Sequence, residues 1–553
     1  MGDVRPWRVG RPVADAGYEA GSRRRGTGGK VVAIVVREVE RKYDPGTAGM
    51  AALDAVTSMP GITGVASVSR QDEQILDAVY YDTADLRLIR AGVTLRRRTG
   101  GEDAGWHLKL PAGADARDEI RLPLTKRAER AARVTADGGV STAAGTAAAR
   151  FRRNVGDVVP AELAALVRAR TRGADLAPVV RIRTSRRVFR LLDSADRTLA
   201  EIAADHVTAE QADGAATSSW AEVEAELVAG DGELLAAIDA RLRAAGMRAA
   251  ATATKLGRAL GPRLPAPHPP NPPVTADSAA GDVLLAYLRD QVTGILRDDP
   301  LVRRAAPDAV HQMRVASRRA RSVLQAFGQV IDREATRPLC AELKWLAATL
   351  GRVRDSEVLL ARFTEELAVI PQALVVGPVQ ARIRVHFSTE YAQALKAALQ
   401  ALDGRRYLRL LDDLDELVAR PPLTPLADGP AGKVLAKPVR RARRQLRRAL
   451  AAVPSATDRD AAIHEARKAA KRARYAAEAA APALGSSADR QAAWTRELQQ
   501  LLGDHHDGVV ARMVLLDLAE EARAAAEDTF TYGLMHQRQA CLNAEIERKL
   551  PTP

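Results

Sequence analysis

The chain has 553 residues, with 83 Lys plus Arg against 69 Asp plus Glu, a formal charge of +14. Hydrophobic residues at 46% exclude wholesale disorder, and two cysteines, Cys340 and Cys541, exclude a disulfide scaffold or a multi-cysteine zinc module. No apolar run approaches the roughly 20 residues of a membrane span and no signal-peptide core follows Arg23, Arg24 and Arg25, so the expectation is a cytoplasmic protein with a polyanionic partner.

Residues 1–29 are rich in Gly and Arg without periodicity and read as a disordered leader. From residue 30 to 261 the pattern is strand-like. Period-two segments occur at Glu38–Lys42, Thr94–Arg98, Trp106–Leu110 and Glu222–Leu227. Alternation places Glu38, Glu40 and Lys42 on one face, and likewise Arg96 with Arg98 and Glu222 with Glu224 and Glu226. Residues 126–157 carry little pattern and read as a loop or insertion. Seven prolines between Pro262 and Pro273 mark an extended linker over 262–276.

From 277 to 553 the spacing is helical, and it repeats. His311, Arg314, Arg318, Arg319 and Arg321 recur as His464, Arg467, Lys471, Arg472 and Arg474. Leu350-Gly351 with Arg354-Asp355 recurs as Leu502-Gly503 with His506-Asp507. Two motifs at nearly one offset argue for a duplicated multi-helix unit. Positions 0, +3, +7 and +10 of each copy fall within about 80° of a helix. A solvated face is the plain explanation of one such stripe. Two stripes suit an anion held between them, because Arg forks match phosphate oxygens. His311 and His464 serve either as phosphate donors or as structural histidines.

The helical half resembles the CHAD domain, over residues 277 to about 530. The resemblance rests on the two stripes, on Lys344 in Leu343-Lys344-Trp345-Leu346, on Arg354-Asp355 and on Lys468. It implies two pseudo-symmetric four-helix units around a channel that binds inorganic polyphosphate. The ligand residues would be His311, Arg314, Arg318, Arg319, Arg321, Lys344 and Arg354, with His464, Arg467, Lys468, Lys471, Arg472 and Arg474. His505 and His506 depart from the first copy, and their role is left open.

In the first half, crowded carboxylates favour hard cations and basic faces favour phosphate; a solvated amphipathic sheet is the alternative. Glu38-Val39-Glu40-Arg41-Lys42 resembles the ExExK signature of the CYTH superfamily, the triphosphate tunnel enzymes. Tyr81-Asp82-Thr83, Leu95 to Arg98, Trp106 to Lys109, Arg117 to Glu119, Arg183 and Arg186, Leu199 to Glu201 and Ala253-Thr254-Lys255 follow in order. The resemblance covers residues 31 to about 262 and implies an eight-stranded antiparallel tunnel. Glu38, Glu40, Glu222, Glu224 and Glu226 would hold Mg²⁺ or Mn²⁺. Lys42, Arg96, Arg98, Lys109, Arg183, Arg186 and Lys255 would hold a triphosphate, with Glu38, Glu40, Lys42 and Lys255 the catalytic group. Glu119 and Glu201 are left between metal and base partners, and His107 and His206 between lumen and packing.

The implied whole is an α+β protein: a divalent-metal-dependent inorganic triphosphatase joined to a polyphosphate-binding helical module and associated with polyphosphate bodies. The alternatives are a non-catalytic polyphosphate scaffold and an adenylate cyclase or thiamine triphosphatase. Nucleic acid is disfavoured, because aromatics are only 4% and no reading module is recognisable.

Overall fold

The computed structural model describes residues 34–46, 62–113, 116–124, 158–214, 216–264 and 273–551. The leader, all of residues 126–157 and the middle of the linker lie outside the described residues. No described helix is long and apolar enough to cross a membrane.

The first half is one antiparallel sheet. Its strands are β1 (Ile34–Asp44), β2 (Ser67–Arg70), β3 (Gln74–Asp82), β4 (Thr94–Thr99), β5 (Gly105–Pro111), β6 (Ala116–Pro123), β7 (Ala177–Leu192), β8 (Thr198–Gln211), β9 (Thr217–Leu227) and β10 (Arg248–Ala249). Closure comes from β1. Its first part pairs with β6 and its second part, from Glu40, pairs with β9. The ring is therefore β1-β6-β5-β4-β3-β7-β8-β9 and back, eight strands, with β2 and β10 on edges. A closed ring leaves no open sheet edge and gives each strand an inner and an outer face.

Sequence parity sorts the two faces. Outward residues of β1, β7, β8 and β9, such as Tyr43, Phe189, Ile202 and Val223, pack under helix α3 (Gly232–Ala244). Asp231 caps that helix by accepting from Glu233 N and Leu234 N. Outward residues of β3 to β6, including Tyr81, Trp106, Leu108 and Ile120, pack with helices α1 (Arg87–Arg90) and α2 (Ala161–Thr171). Buried Asp82 ties α1 to β3 by accepting from Thr83 N, Leu88 N and Ile89 N. One end of the interior is filled by α4 (Lys255–Leu260), whose Leu256, Ala259 and Leu260 meet Ala78, Val180, Ile182 and Val207. The charged inner residues occupy the rest.

The second half is helical: α5 (Ala280–Arg303), α6 (Ala309–Ala326), α7 (Arg333–Val369), α8 (Val379–Asp403), α9 (Arg405–Ala419), α10 (Ala431–Val434), α11 (Ala436–Ala452), α12 (Arg459–Leu484), α13 (Ser486–Ala524) and α14 (Phe530–Lys549). Helices α5 to α8 form one four-helix unit and α11 to α14 the other. The repeated motifs fall on α6 and α12, and on α7 and α13, so the duplication is one of whole units. At ~1.5 Å per residue α7 and α13 each run more than about 50 Å and span the bundle. Their far ends pack together through Leu359, Phe363, Leu515 and Leu518.

The halves share a seam. Ala169 of α2 belongs to the core of the helical half. Arg168 Nη2 donates to Asp403 O at 3.2 Å, and Arg172 pairs with Asp412 at 3.0 Å and with Asp415.

Candidate functional site

Strand register builds the tunnel interior pair by pair. Glu40 lies opposite Glu226 and Lys42 opposite Glu224. Lys109 lies opposite Glu119, Arg186 opposite Asp205, and Tyr80 opposite Arg96. All inward side chains of these pairs surround one cavity of about 270 Å³ or sit directly behind it. Glu38, Glu40, Lys42, Arg96, Arg98, Lys109, Arg186, Glu224, Glu226 and Lys255 line the cavity itself, as does Glu201.

The carboxylates divide into two groups. Glu224 is saturated: Lys42 and Lys255 (2.7 Å) contact Oε1, and Arg186 donates to Oε2 at 2.5 Å. Lys255 Nζ also meets Asp205 at 2.9 Å and Glu222 at 2.7 Å. Glu222 is thus recessed beneath Lys255, where it also accepts from Trp220 Nε1 at 2.5 Å, and it does not line the cavity. Glu38, Glu40 and Glu226 form the other group. Glu38 meets Lys109 Nζ at 2.6 Å, and Lys42 reaches Glu40 at 3.2 Å. Buried Glu40 Oε1 has no hydrogen-bond partner; its nearest cation is Arg117, 3.7 Å away. Glu226 has no cation within ion-pair distance among the described residues. Burial and then the Glu38 charge push its carboxyl up to about 7. Burial opposes ionisation of Glu40, but Lys42 and Lys109 bring it down to about 2. Glu38 meets Arg121 (3.5 Å) as well as Lys109, so Glu40 Oε1 and Glu226 are the least neutralised of this group. A hard divalent cation there would be held by Glu38, Glu40 and Glu226. The carboxylates whose oxygens already lie within 4.8 Å of one another, Asp205, Glu222 and Glu224, are instead clasped by Lys255.

The cations are crowded in turn. Burial, followed by repulsion from Arg96 and Arg186, lowers Arg98 to about 9. Glu119 is fully buried and bound by His107 Nδ1 at 2.9 Å, with Arg121, Arg96 and Lys109 close by. It is a hub that orients bases, away from the cavity surface. His107 spans from Glu119 to Asp103 O (2.9 Å), so it packs within the wall. His206 is exposed on the outer face.

Arg183 is placed outside. It differs from Arg186 by three positions, an odd number, so the strand turns it to the outer face, where its side chain is 64% exposed beside Asp77. Its expected substrate contact therefore has no geometric basis. Alternation and register reveal inner residues that the expected ligand set leaves out: Arg117 and Arg121 flank Glu119 at two-residue spacing, Asp205 follows Glu201 by four, and Tyr80 lies opposite Arg96.

In the helical half the two stripes face one another. Lys471 lies within the fields of Arg318, Arg467 and Arg314. Burial and then these three cations lower its ammonium to about 6. The repeat extends to partners: Arg314 faces Asp355 at 3.5 Å and Arg467 faces Asp507 at 3.9 Å. Gly351 has room for the Arg314 guanidinium, which lies 3.5 Å from where a Cβ would stand. Glu478 takes Arg319 (3.2 Å) and Arg474 (2.7 Å), one from each stripe, and both guanidiniums flank the Tyr475 ring. The buried Nε atoms of Arg314, Arg319, Arg321 and Arg467 have no hydrogen-bond partner. Arg354 is half-buried against Glu357. Lys344, Lys468 and Arg472 are exposed, and His311 is half-buried on the stripe. His464 Nδ1 meets His506 Nδ1 at 3.2 Å, whereas His505 turns away to Glu547 (3.3 Å) and Asp460 (3.6 Å).

Comparison with known proteins agrees with this division. Residues 37–258 match the CYTH domain family and residues 286–516 the CHAD domain family. An uncharacterized protein of Mycobacterium tuberculosis is 38% identical over 531 residues, covering 93% of this chain and 94% of its own. Among solved structures, PptA from Streptomyces chartreusis is 25% identical, covering 49% of this chain and 98% of its own, with a TM-score of 0.44. The CHAD domain from the plant Ricinus communis is 30% identical over 52% of this chain and 98% of its own, with a TM-score of 0.42. The chain belongs to the proteins that carry a CYTH tunnel domain followed by a CHAD helical domain in one polypeptide.

Proposed function

We propose that the tunnel hydrolyses the terminal phosphoanhydride of inorganic tripolyphosphate or a polyphosphate end with Mg²⁺ or Mn²⁺, and that the helical channel binds polyphosphate. One observation carries this reading: buried Arg98 and Lys255 and half-buried Lys42, Arg96, Lys109 and Arg186 converge with Glu38, Glu40 and Glu226 on a single cavity. Phosphoryl transfer needs positioning and charge neutralisation more than a covalent partner, and both are built into the wall. A divalent ion at Glu38, Glu40 and Glu226 supplies further neutralisation and activation of water when bound.

Lys42, Arg186 and Lys255 start out paired with Glu224, so triphosphate oxygens exchange with a carboxylate rather than meeting bare charge. Arg96, Arg98 and Lys109 sit across the cavity on β4 and β5 and hold the other side of the chain. Among the described lining residues Tyr80 is the one aromatic, with Leu76 and Val188 the aliphatics. That leaves little apolar shelf for a nucleobase, which favours an inorganic substrate over a cyclase substrate.

Phosphate release from tripolyphosphate should require Mg²⁺ or Mn²⁺ and fall at least 100-fold in Glu38→Gln/Glu40→Gln. Metal-independent release, or equal rates in the variant, would defeat the assignment.

A further inference from the structure

Helix α11 carries a charged face that neither the tunnel nor the stripes use. Its sequence, AKPVRRARRQLRRALAA, holds no acid. Val439, Ala442, Leu446 and Leu450 are buried against the bundle. All seven of its cations are exposed. None takes part in an ion pair with a described residue.

The arrangement is self-repelling. Arg440 with Arg444, Arg443 with Arg447 and Arg444 with Arg448 are like charges one turn apart, which weakens a helix. The apolar seam holds the helix in place despite this, so the face is a fixed feature of the surface.

Shape selects the partner. At about 100° per residue the cations cover about 160° of the circumference and about 16 Å of length. Lys437, Arg441 and Arg448 lie on one flank, Arg440, Arg443 and Arg447 on the other, and Arg444 between. This is a convex ridge with two basic sides. A thin polyphosphate strand or a flat anionic bilayer reaches one side or the crest. A groove with a phosphate backbone on each wall reaches both sides together. The B-DNA major groove, about 12 Å wide, admits an α-helix. The face contains no aromatic residue, so single strands gain no stacking on it.

We propose that α11 docks in the major groove of duplex DNA through phosphate contacts, without reading sequence. The scarcity of aromatics that disfavours base recognition is compatible with this mode, which needs none.

The test is fluorescence anisotropy of a labelled duplex DNA, with the full chain, at several salt concentrations. Wild type should bind, with log K falling against log salt at a slope of about −5 to −6 for six or seven contacts. Arg440→Gln/Arg444→Gln/Arg447→Gln/Arg448→Gln should weaken binding at least tenfold and flatten the slope by about one per cation removed. The matching Arg→Lys quadruple variant should retain binding, and all variants should retain phosphate release from tripolyphosphate. A-form RNA has a deep, narrow major groove, so duplex RNA should bind more weakly. The proposal is overturned if wild type does not bind duplex DNA, or if the Gln variant matches wild type. Equal binding of duplex RNA overturns it as well, as does α11-dependent binding of polyphosphate but not DNA. So does loss of DNA binding in Arg314→Gln/Lys471→Gln with retention in the α11 variant, because that places the DNA in the channel.

Discussion

Replacing Lys471 with Met should stabilise the helical half while weakening its hold on polyphosphate. Lys471 has an ammonium lowered to about 6 by burial and by Arg318, Arg467 and Arg314. An unfolded lysine titrates near ~10.4, so pH 7 lies ~3.4 units below it, and at ~1.36 kcal/mol per unit the penalty approaches ~4.6 kcal/mol. Relaxation and water entry reduce this, and a gain of about 2–4 kcal/mol is expected, or roughly 5–10 °C in the melting of that half. The sign follows from proton counting. Between pH ~6 and ~10.4 the unfolded state binds more protons than the folded one, so wild-type stability rises with pH across that window. The gain from Lys471→Met should be full below pH ~6, shrink as pH rises and vanish above pH ~10.4. A polyanion in the channel reverses the penalty by favouring the charged ammonium. Binding at pH 7.5 should then take up close to one proton more in wild type than in Lys471→Met. Calorimetry in buffers of different ionisation enthalpy measures the difference, and the ligand's own titration cancels in the comparison. Equal proton uptake, or equal stability–pH slopes, would refute the argument.

Parity on β7 separates two arginines. Arg183→Ala should leave kcat/KM for tripolyphosphate within about twofold. Arg186→Ala should cost at least 100-fold and, by unbalancing buried Asp205 and Glu224, about 3 kcal/mol of stability in thermal unfolding. Asp82→Ala removes the acceptor of three backbone N–H groups and should cost about 3 kcal/mol by denaturant titration, with Asp82→Asn costing less. Glu226→Gln should lower the apparent affinity for Mg²⁺ or Mn²⁺ by more than tenfold in a metal titration of phosphate release. Glu222→Gln should act chiefly on Lys255, and its metal affinity should stay close to wild type.

Much of the tunnel was legible because a strand has only two faces. Once Glu38, Glu40 and Lys42 are known to point inward, register decides the rest. Lys42 meets Glu224 and Glu40 meets Glu226 because β1 and β9 run antiparallel with those partners opposed. Motif spacing failed where it crossed parity, as at Arg183. It also could not tell which of five glutamates would be occupied by cations, since Lys255 reaches Glu222 and Glu224 from another element. In the helical half the stripes and their duplication were legible from charge at helical spacing. The split of His505 from His506 was not. Adjacent helical residues point about 100° apart, and only the packing of α12 and α14 shows that His506 faces His464 while His505 faces Glu547.

The seam between the halves changes what can be learned by cutting the chain. A break in the proline-rich linker looks natural on paper, but Ala169 of α2 is part of the other half's interior, and Arg172 is anchored to α9. A fragment ending near residue 264 would keep α2 and lose its bed. It would expose an apolar strip and two arginines stripped of carboxylate or carbonyl partners. A weak or aggregating tunnel fragment would then report a damaged surface, with no bearing on whether the helical half delivers substrate. Point substitutions inside the basic channel leave that surface whole, so they are the sound way to ask whether each half works without the other.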